Sequence, residues 1–149
     1  MAREPGVWAL VLSRRGSSRL PGKALRPLAG LPMADYTFRS ALAVPAFAKR
    51  WVFSDDPRLL ELAALRGMDL PLFERPEAVS REGSTAFDTM RDFLGRFPAA
   101  ELPSALVLLQ PTSPLREAGD IEGALAVYRR QTPPCDAVIG VFEPPKPLQ

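Results

Sequence analysis

Val7-Trp8-Ala9-Leu10-Val11-Leu12-Ser13 runs directly into Arg14-Arg15-Gly16-Ser17-Ser18-Arg19-Leu20-Pro21-Gly22-Lys23, and the junction between the two strings decides the fold. A continuous apolar run without alternation suits a strand buried on both faces, as in a parallel sheet covered by helices. The loop that leaves it carries four fixed positive charges, Arg14, Arg15, Arg19 and Lys23, among small residues and without a carboxylate. Open α/β sheets present their ligand-binding loops at the carboxyl ends of strands, so the string reads as a phosphate grip. Arg14 and Lys23 stand nine positions apart at its two ends and can face each other across a triphosphate. Gly16, Ser17 and Ser18 are small enough for their amides to approach phosphate oxygens in a nest. A solvated basic loop is the alternative, because the string is not a Walker A sequence.

Outward from this junction, strands and helices take turns. Residues 33–44 have helical spacing, and Trp51-Val52-Phe53 reads as a second strand that stops at Ser54-Asp55-Asp56-Pro57. A helix then follows over about 57–66, with Leu59, Leu60, Ala63 and Ala64 on one face and Gly67 at its end. Asp55 and Asp56 sit where a strand exits toward the ligand face and could recruit magnesium, but capping of the helix ahead of Pro57 explains them without metal chemistry and is the favoured reading. Residues 70–73 form a third strand weakened by Pro71, and Ser84 or Thr85 opens an amphipathic helix. Its stripe of Phe87, Met90, Phe93, Leu94 and Phe97 is expected in the core. Residues 105–109 form a fourth strand, Asp120 caps a helix reaching about Arg130, and 137–142 form a fifth strand before a proline-rich end that cannot continue a sheet interior. This alternation predicts an α/β fold, a Rossmann-like three-layer sandwich with a mostly parallel sheet and right-handed crossovers.

Composition narrows the chemistry. A chain of 149 residues fits one domain, and a domain of that size buries roughly 70% of its unfolded surface. The net charge of +2, from 19 basic and 17 acidic residues, supplies no basic stripe for nucleic acid. Histidine is absent, which removes the usual general base, every Ser-His-Asp or Cys-His arrangement and all histidine metal sites. Carboxylates, cations, backbone amides and a hard metal are what remain. Cys135 is the single cysteine and reads as part of a turn. No apolar stretch approaches the ~18 residues that a bilayer demands, so no membrane partner is expected and the cytoplasm is the expected location.

A second loop is as informative as the first: Leu108-Leu109-Gln110-Pro111-Thr112-Ser113-Pro114-Leu115-Arg116 follows the fourth strand. The first loop, continued by Leu28-Ala29-Gly30-Leu31-Pro32-Met33, resembles the sugar nucleotidyltransferases, and among them the cytidylyltransferases that activate acidic sugars. The second loop resembles the acylneuraminate (CMP-sialic acid) synthetases, whereas the 3-deoxy-manno-octulosonate enzymes carry a Gln-Gly-Asp-containing loop there. Phe53-Ser54-Asp55-Asp56 is similar to the family's Ser-Thr-Asp-Asp, and Arg75-Pro76-Glu77 to its Arg-Pro-x-Glu. The resemblance covers roughly residues 7–142.

It implies a nucleotide-diphospho-sugar transferase type of fold, with CTP and an acidic sugar such as N-acetylneuraminate as substrates and magnesium as cofactor. It gives Arg14 and Lys23 the triphosphate. The amides of Gly16, Ser17, Ser18 and Arg19 and the side chain of Arg75 go to the cytosine end, Ser84 and Thr85 to the nucleotide, and Gln110 to the sugar or nucleotide. Two departures stand out: Ala24 replaces the family's asparagine, and Glu82-Gly83-Ser84-Thr85-Ala86 stands for Asp-Thr-x-Ser-Ser/Thr. Family members continue for about another half-length, which carries the paired aspartates that ligate magnesium, much of the sugar pocket and a dimerisation segment. The 149 residues are thus expected to be one nucleotidyltransferase-like domain, short at its carboxyl end: a fragment, a truncated gene or a nucleotide-binding remnant without turnover. A homodimer and a different acceptor such as 3-deoxy-manno-octulosonate also fall within the implied range. Trp8 and Trp51 are expected as core or interface aromatics rather than base-stacking groups, and Arg129-Arg130 at a helix end, where positive charge complements the dipole. Arg116 could meet a ligand carboxylate or phosphate, or pair with Glu117 or Asp120.

Overall fold

The computed structural model describes residues 6–16, 20–81 and 83–141. Its elements run β1 (Val7–Ser13), β2 (Pro27–Leu28), β3 (Leu31–Pro32), α1 (Met33–Leu42), β4 (Phe47–Ser54), α2 (Pro57–Leu65), α3 (Ala86–Leu94), β5 (Ala105–Leu108) and α4 (Ala118–Arg130). Short 3-10 turns occur at Lys23–Leu25, Glu77–Val79 and Ala99–Glu101. β1 lies at the centre of a parallel sheet of order β4-β1-β5, and β2 and β3 form a small antiparallel hairpin.

The unbroken apolar run of β1 is explained by the two faces it serves. Val7, Ala9 and Val11 pack with Phe38 and Ala41 of α1, Leu59 and Ala63 of α2, and Ile121 and Leu125 of α4. Trp8 and Leu10 point the other way, against Phe53 and Phe93, the latter from α3. Helices therefore cover both faces, giving the three-layer α/β sandwich. Full burial of each large apolar side chain contributes about 1.5–3 kcal/mol, so β1 is the most heavily stabilised strand. Trp8, buried, and Trp51, half-buried, meet edge to face at 5.8 Å and join Phe93 and Phe97 in one aromatic cluster.

Local chemistry fixes the connections. Asp56 accepts the Arg58 amide and caps α2, with Pro57 in the first helical position. Asp35 of α1 is fully buried and takes Arg39 at 2.9 Å and Arg66 from the end of α2, so one carboxylate staples the two helices. Gly6 passes so close to β4 that a Cβ there would lie 2.5 Å from the Ala48 Cβ. In the hairpin, Ala29 (φ 46°) and Gly30 (φ 87°) both turn left-handed, the geometry that a two-residue β-hairpin requires.

Several expected elements change. The 70–73 strand shrinks to a bridge between Asp69 and Trp51: Asp69 exchanges bonds with Arg50 and Val52, after which Pro71 has no amide to offer. The fifth strand is not formed over 137–141, and Phe142 lies outside the described residues. Ile139 and Val141 are instead 81% and 90% exposed, because a strand needs a neighbour and this segment has none among the described residues. Phe87 is 66% exposed and leaves the predicted stripe, while Met90, Phe93, Leu94 and Phe97 keep to it. α4 begins earlier than expected: Glu117 is its cap, and Asp120 accepts the Glu117 amide from three residues on.

Candidate functional site

The carboxyl ends of β1 and β5 open into a cleft of about 240 Å³. Leu12, Ser13 and Arg14 reach it from the end of β1, and Lys23, Ala24 and Met33 from the basic loop and the start of α1. Arg75 lines it too, with Ser84, Thr85, Ala86 and Thr89 around the start of α3, and Gln110, Pro111 and Thr112 from the loop after β5. Six of the residues singled out in the sequence, Arg14, Lys23, Arg75, Ser84, Thr85 and Gln110, thus converge although up to 96 positions separate them. Gly16 is exposed and does not line the cleft. Ser17, Ser18 and Arg19 lie outside the described residues.

Local hydrogen bonds and turns place these residues. Arg14 donates from Nη1 to the Arg81 carbonyl at 3.1 Å, which leans it across the cleft toward the 77–84 loop. Lys23 opens a 3-10 turn that Gly22 enters with φ 64°, a left-handed conformation natural to glycine. Ser84 donates its hydroxyl to the Ala78 carbonyl at 3.1 Å. The Thr85 hydroxyl caps α3, accepting the Asp88 amide and donating to the Asp88 carboxylate, so what this position offers a ligand is the positive end of the helix. Gln110 begins a turn in which Ser113 N–H and Arg116 Nη2 both donate to its carbonyl, at 3.2 and 3.3 Å. Among the described residues Arg116 forms no ion pair with Glu117 or Asp120, and it folds back on the loop that carries Gln110.

The cleft is positively charged. Arg14, Lys23 and Arg75 line it without any Asp or Glu among the lining residues. Burial pushes the Arg75 guanidinium below the ordinary arginine value, opposed by Asp55 and reinforced by Arg14. Burial does the same to Arg116, opposed by Asp120. Of the two aspartates at the end of β4, Asp56 is the helix cap and Asp55 accepts the Arg15 amide at 2.6 Å, anchoring the start of the basic loop. Both therefore have structural duties. Among the described residues no cluster of three candidate ligands could hold a metal ion, and the cleft lining does not fit a magnesium site. Sequence reasoning missed Thr89 and Thr112; Thr89 follows Thr85 by one helical turn, and that spacing was its signal.

The carboxyl edge of a parallel α/β sheet is where such folds commonly place a ligand site, and here that edge carries a cationic, hydroxyl-lined cleft. The family profile described as cytidylyltransferase matches residues 8–137, and the chain belongs to that family. It is 32% identical to the CMP-N,N'-diacetyllegionaminic acid synthase of Legionella pneumophila, over 83% of this chain and 53% of that protein. It is 34% identical to an N-acylneuraminate cytidylyltransferase of Streptococcus agalactiae, over 80% of this chain and 28% of that one. A solved CMP:2-keto-3-deoxy-manno-octonic acid synthetase in complex with CTP superposes with a TM-score of 0.67 at 26% identity, covering 85% of this chain and 48% of its own. The chain thus spans about half, or less, of the length of these curated relatives.

Proposed function

We propose that the cleft binds CTP and that the chain is the nucleotide-binding half of a cytidylyltransferase that activates an acidic sugar of the N-acylneuraminate kind. The carrying observation is the convergence of Arg14, Lys23, Arg75, Ser84, Thr85 and Gln110 on one cleft free of lining carboxylates. In the reaction, a sugar hydroxyl oxygen bonds to the α phosphorus and gives up its proton to solvent as the bond to the bridging oxygen breaks, and pyrophosphate leaves with the electron pair. Arg14 and Lys23 would neutralise the charge that grows on that leaving group, the dominant need in such a transfer. The start of α3, at Ser84 and Thr85, adds the helix dipole to the same task. By the resemblance, Arg75 would contact the cytosine and Gln110 would help hold the sugar or nucleotide. Magnesium, a cytoplasmic location and a homodimer belong to this reading through the family resemblance; the magnesium ligands are not in the cleft lining. Among the described residues no helix is long and apolar enough to cross a membrane.

Ligand-shifted melting tests the reading. CTP should raise the melting temperature with concentration, and more than ATP or GTP does, because a ligand that binds only the folded state stabilises it by mass action. Equal shifts from all nucleotides would reduce the site to a phosphate grip. No shift from any would overturn the nucleotide reading. Lack of lining carboxylates favours one second reading, a nucleotide-binding half without turnover of its own.

A further inference from the structure

Asp55 stands where two strands of the sheet part. β1 and β4 run parallel up to the pair Ser13 and Ser54, and beyond it one chain enters the basic loop while the other turns into α2. The backbone ladder ends there. One more N–H is nevertheless paired: the Arg15 amide donates to Asp55 Oδ1 at 2.6 Å, so a side chain stands in for the strand that has turned away. The mount for that side chain is rigid. Ser54 is buried and its hydroxyl accepts the Asp56 amide at 3.0 Å, and Asp56, also buried, caps α2 through the Arg58 amide. With the backbone fixed on both sides, the Asp55 carboxylate is left only its own rotamers.

What this bond controls is the cation beside it. Arg14 lies between Ser13, the last residue of β1, and the anchored Arg15 amide, and its own Nη1 donates to the Arg81 carbonyl at 3.1 Å, so it is held at both root and tip. Ser13 and Arg14 line the cleft, and Asp55 does not. The Asp55 charge still reaches that space: burial pushes Arg75 below the ordinary arginine value, and Asp55 opposes the shift while Arg14 adds to it. Charge and anchoring therefore act in opposite directions on an anionic ligand. A carboxylate close to a phosphate site repels the ligand, whereas an Arg14 fixed in advance spares the ligand the cost of ordering it. We propose that Asp55 is a positioning residue: by accepting the Arg15 N–H, its carboxylate oxygen fixes the direction in which the chain leaves β1 and holds Arg14 on the cleft, an effect that outweighs the repulsion its charge brings. This deepens the reading of the cleft as a CTP site and rests on it.

Asp55→Ala and Asp55→Asn separate the two effects, because both remove the charge and only the asparagine keeps an acceptor oxygen. Calorimetry with CTP and with inorganic tripolyphosphate is run in metal-free buffer, at a temperature where circular dichroism shows all three chains folded. Both ligands should be weakened by about tenfold in Asp55→Ala. Asp55→Asn should bind them as tightly as the unaltered chain, or more tightly. Amide hydrogen exchange should accelerate at Arg15 in Asp55→Ala, stay slow there in Asp55→Asn, and remain unchanged in both at Leu10 in the middle of β1. Unchanged or tighter binding in both variants would reduce Asp55 to its charge, and equal weakening in both would show that the acceptor oxygen is not what matters. A loss that appears only when magnesium is added would make Asp55 a metal ligand. Each of these results overturns the proposal, as does exchange accelerated equally at Arg15 and Leu10, the mark of a general contribution to stability. If the unaltered chain binds neither ligand, the CTP reading fails, and exchange at Arg15 still decides whether Asp55 sets the path of the loop.

Discussion

Lys23 carries the sharpest expectation at the scale of single residues. It lines the cleft, sits half-buried at the start of its turn, and makes no ion pair among the described residues. A contact from an ammonium to phosphate oxygens contributes about 1.5–3 kcal/mol, so Lys23→Ala should weaken CTP by roughly ten- to a hundredfold in a calorimetric titration. Its melting temperature should barely move, since an exposed or half-exposed lysine without a partner adds little to the fold. Unaltered binding would make the loop a solvated surface, and a large loss of stability would make Lys23 structural. Arg14 differs in kind. Part of its donor capacity already goes to the Arg81 carbonyl, so it both contacts the ligand space and holds the opposite wall. Sequence spacing could place both cations at the loop ends, but not this division of labour, which depends on a carbonyl 67 residues away.

At the scale of elements, α3 shows how a helix end serves the site. Thr85 and Asp88 close a capping box, and the Thr85 hydroxyl and amide hold the Asp88 carboxyl below the ordinary aspartate range. A carboxyl depressed in the folded state adds stability above its unfolded value and loses it as pH falls through the folded one. The melting-temperature gap between the unaltered chain and Asp88→Ala should therefore be widest near neutral pH and close as the pH drops below the ordinary aspartate range. A gap independent of pH would mean that Asp88 acts by packing and not by its charge. The cap was legible because Thr and Asp three apart before an apolar stripe is a local signal. Phe87 was not. Helical spacing alone cannot tell which residue of a stripe is left uncovered, and here Phe87 in the first turn of α3 is exposed.

The central part of the molecule could be read from its sequence because β1 is apolar on both faces, and only a covered parallel sheet uses such a strand. The failures lie at the margin of the sheet. Residues 137–141 have strand composition, yet pairing is a long-range property: β5 bonds to β1 on one side, and the segment does not reach its other edge. The site was legible for the same reason as the core, since loops leaving parallel strands must meet at one edge. What no spacing could show is which polar groups are already engaged, and that decides the last expectation. Asp55 is spent on the Arg15 amide and Asp56 on its helix, and the cleft lining presents cations, hydroxyls and an amide but no carboxylate. Phosphoryl transfer needs the growing charge on pyrophosphate neutralised and the attacking oxygen aligned, and metal-holding carboxylates commonly share that work. The 149-residue chain should therefore bind CTP without sustained pyrophosphate release when supplied with magnesium and either N-acetylneuraminate or 3-deoxy-manno-octulosonate. Sustained release that Asp55→Asn abolishes, with CTP affinity retained, would show that this carboxylate leaves the Arg15 amide during turnover and that the short chain carries a complete active site.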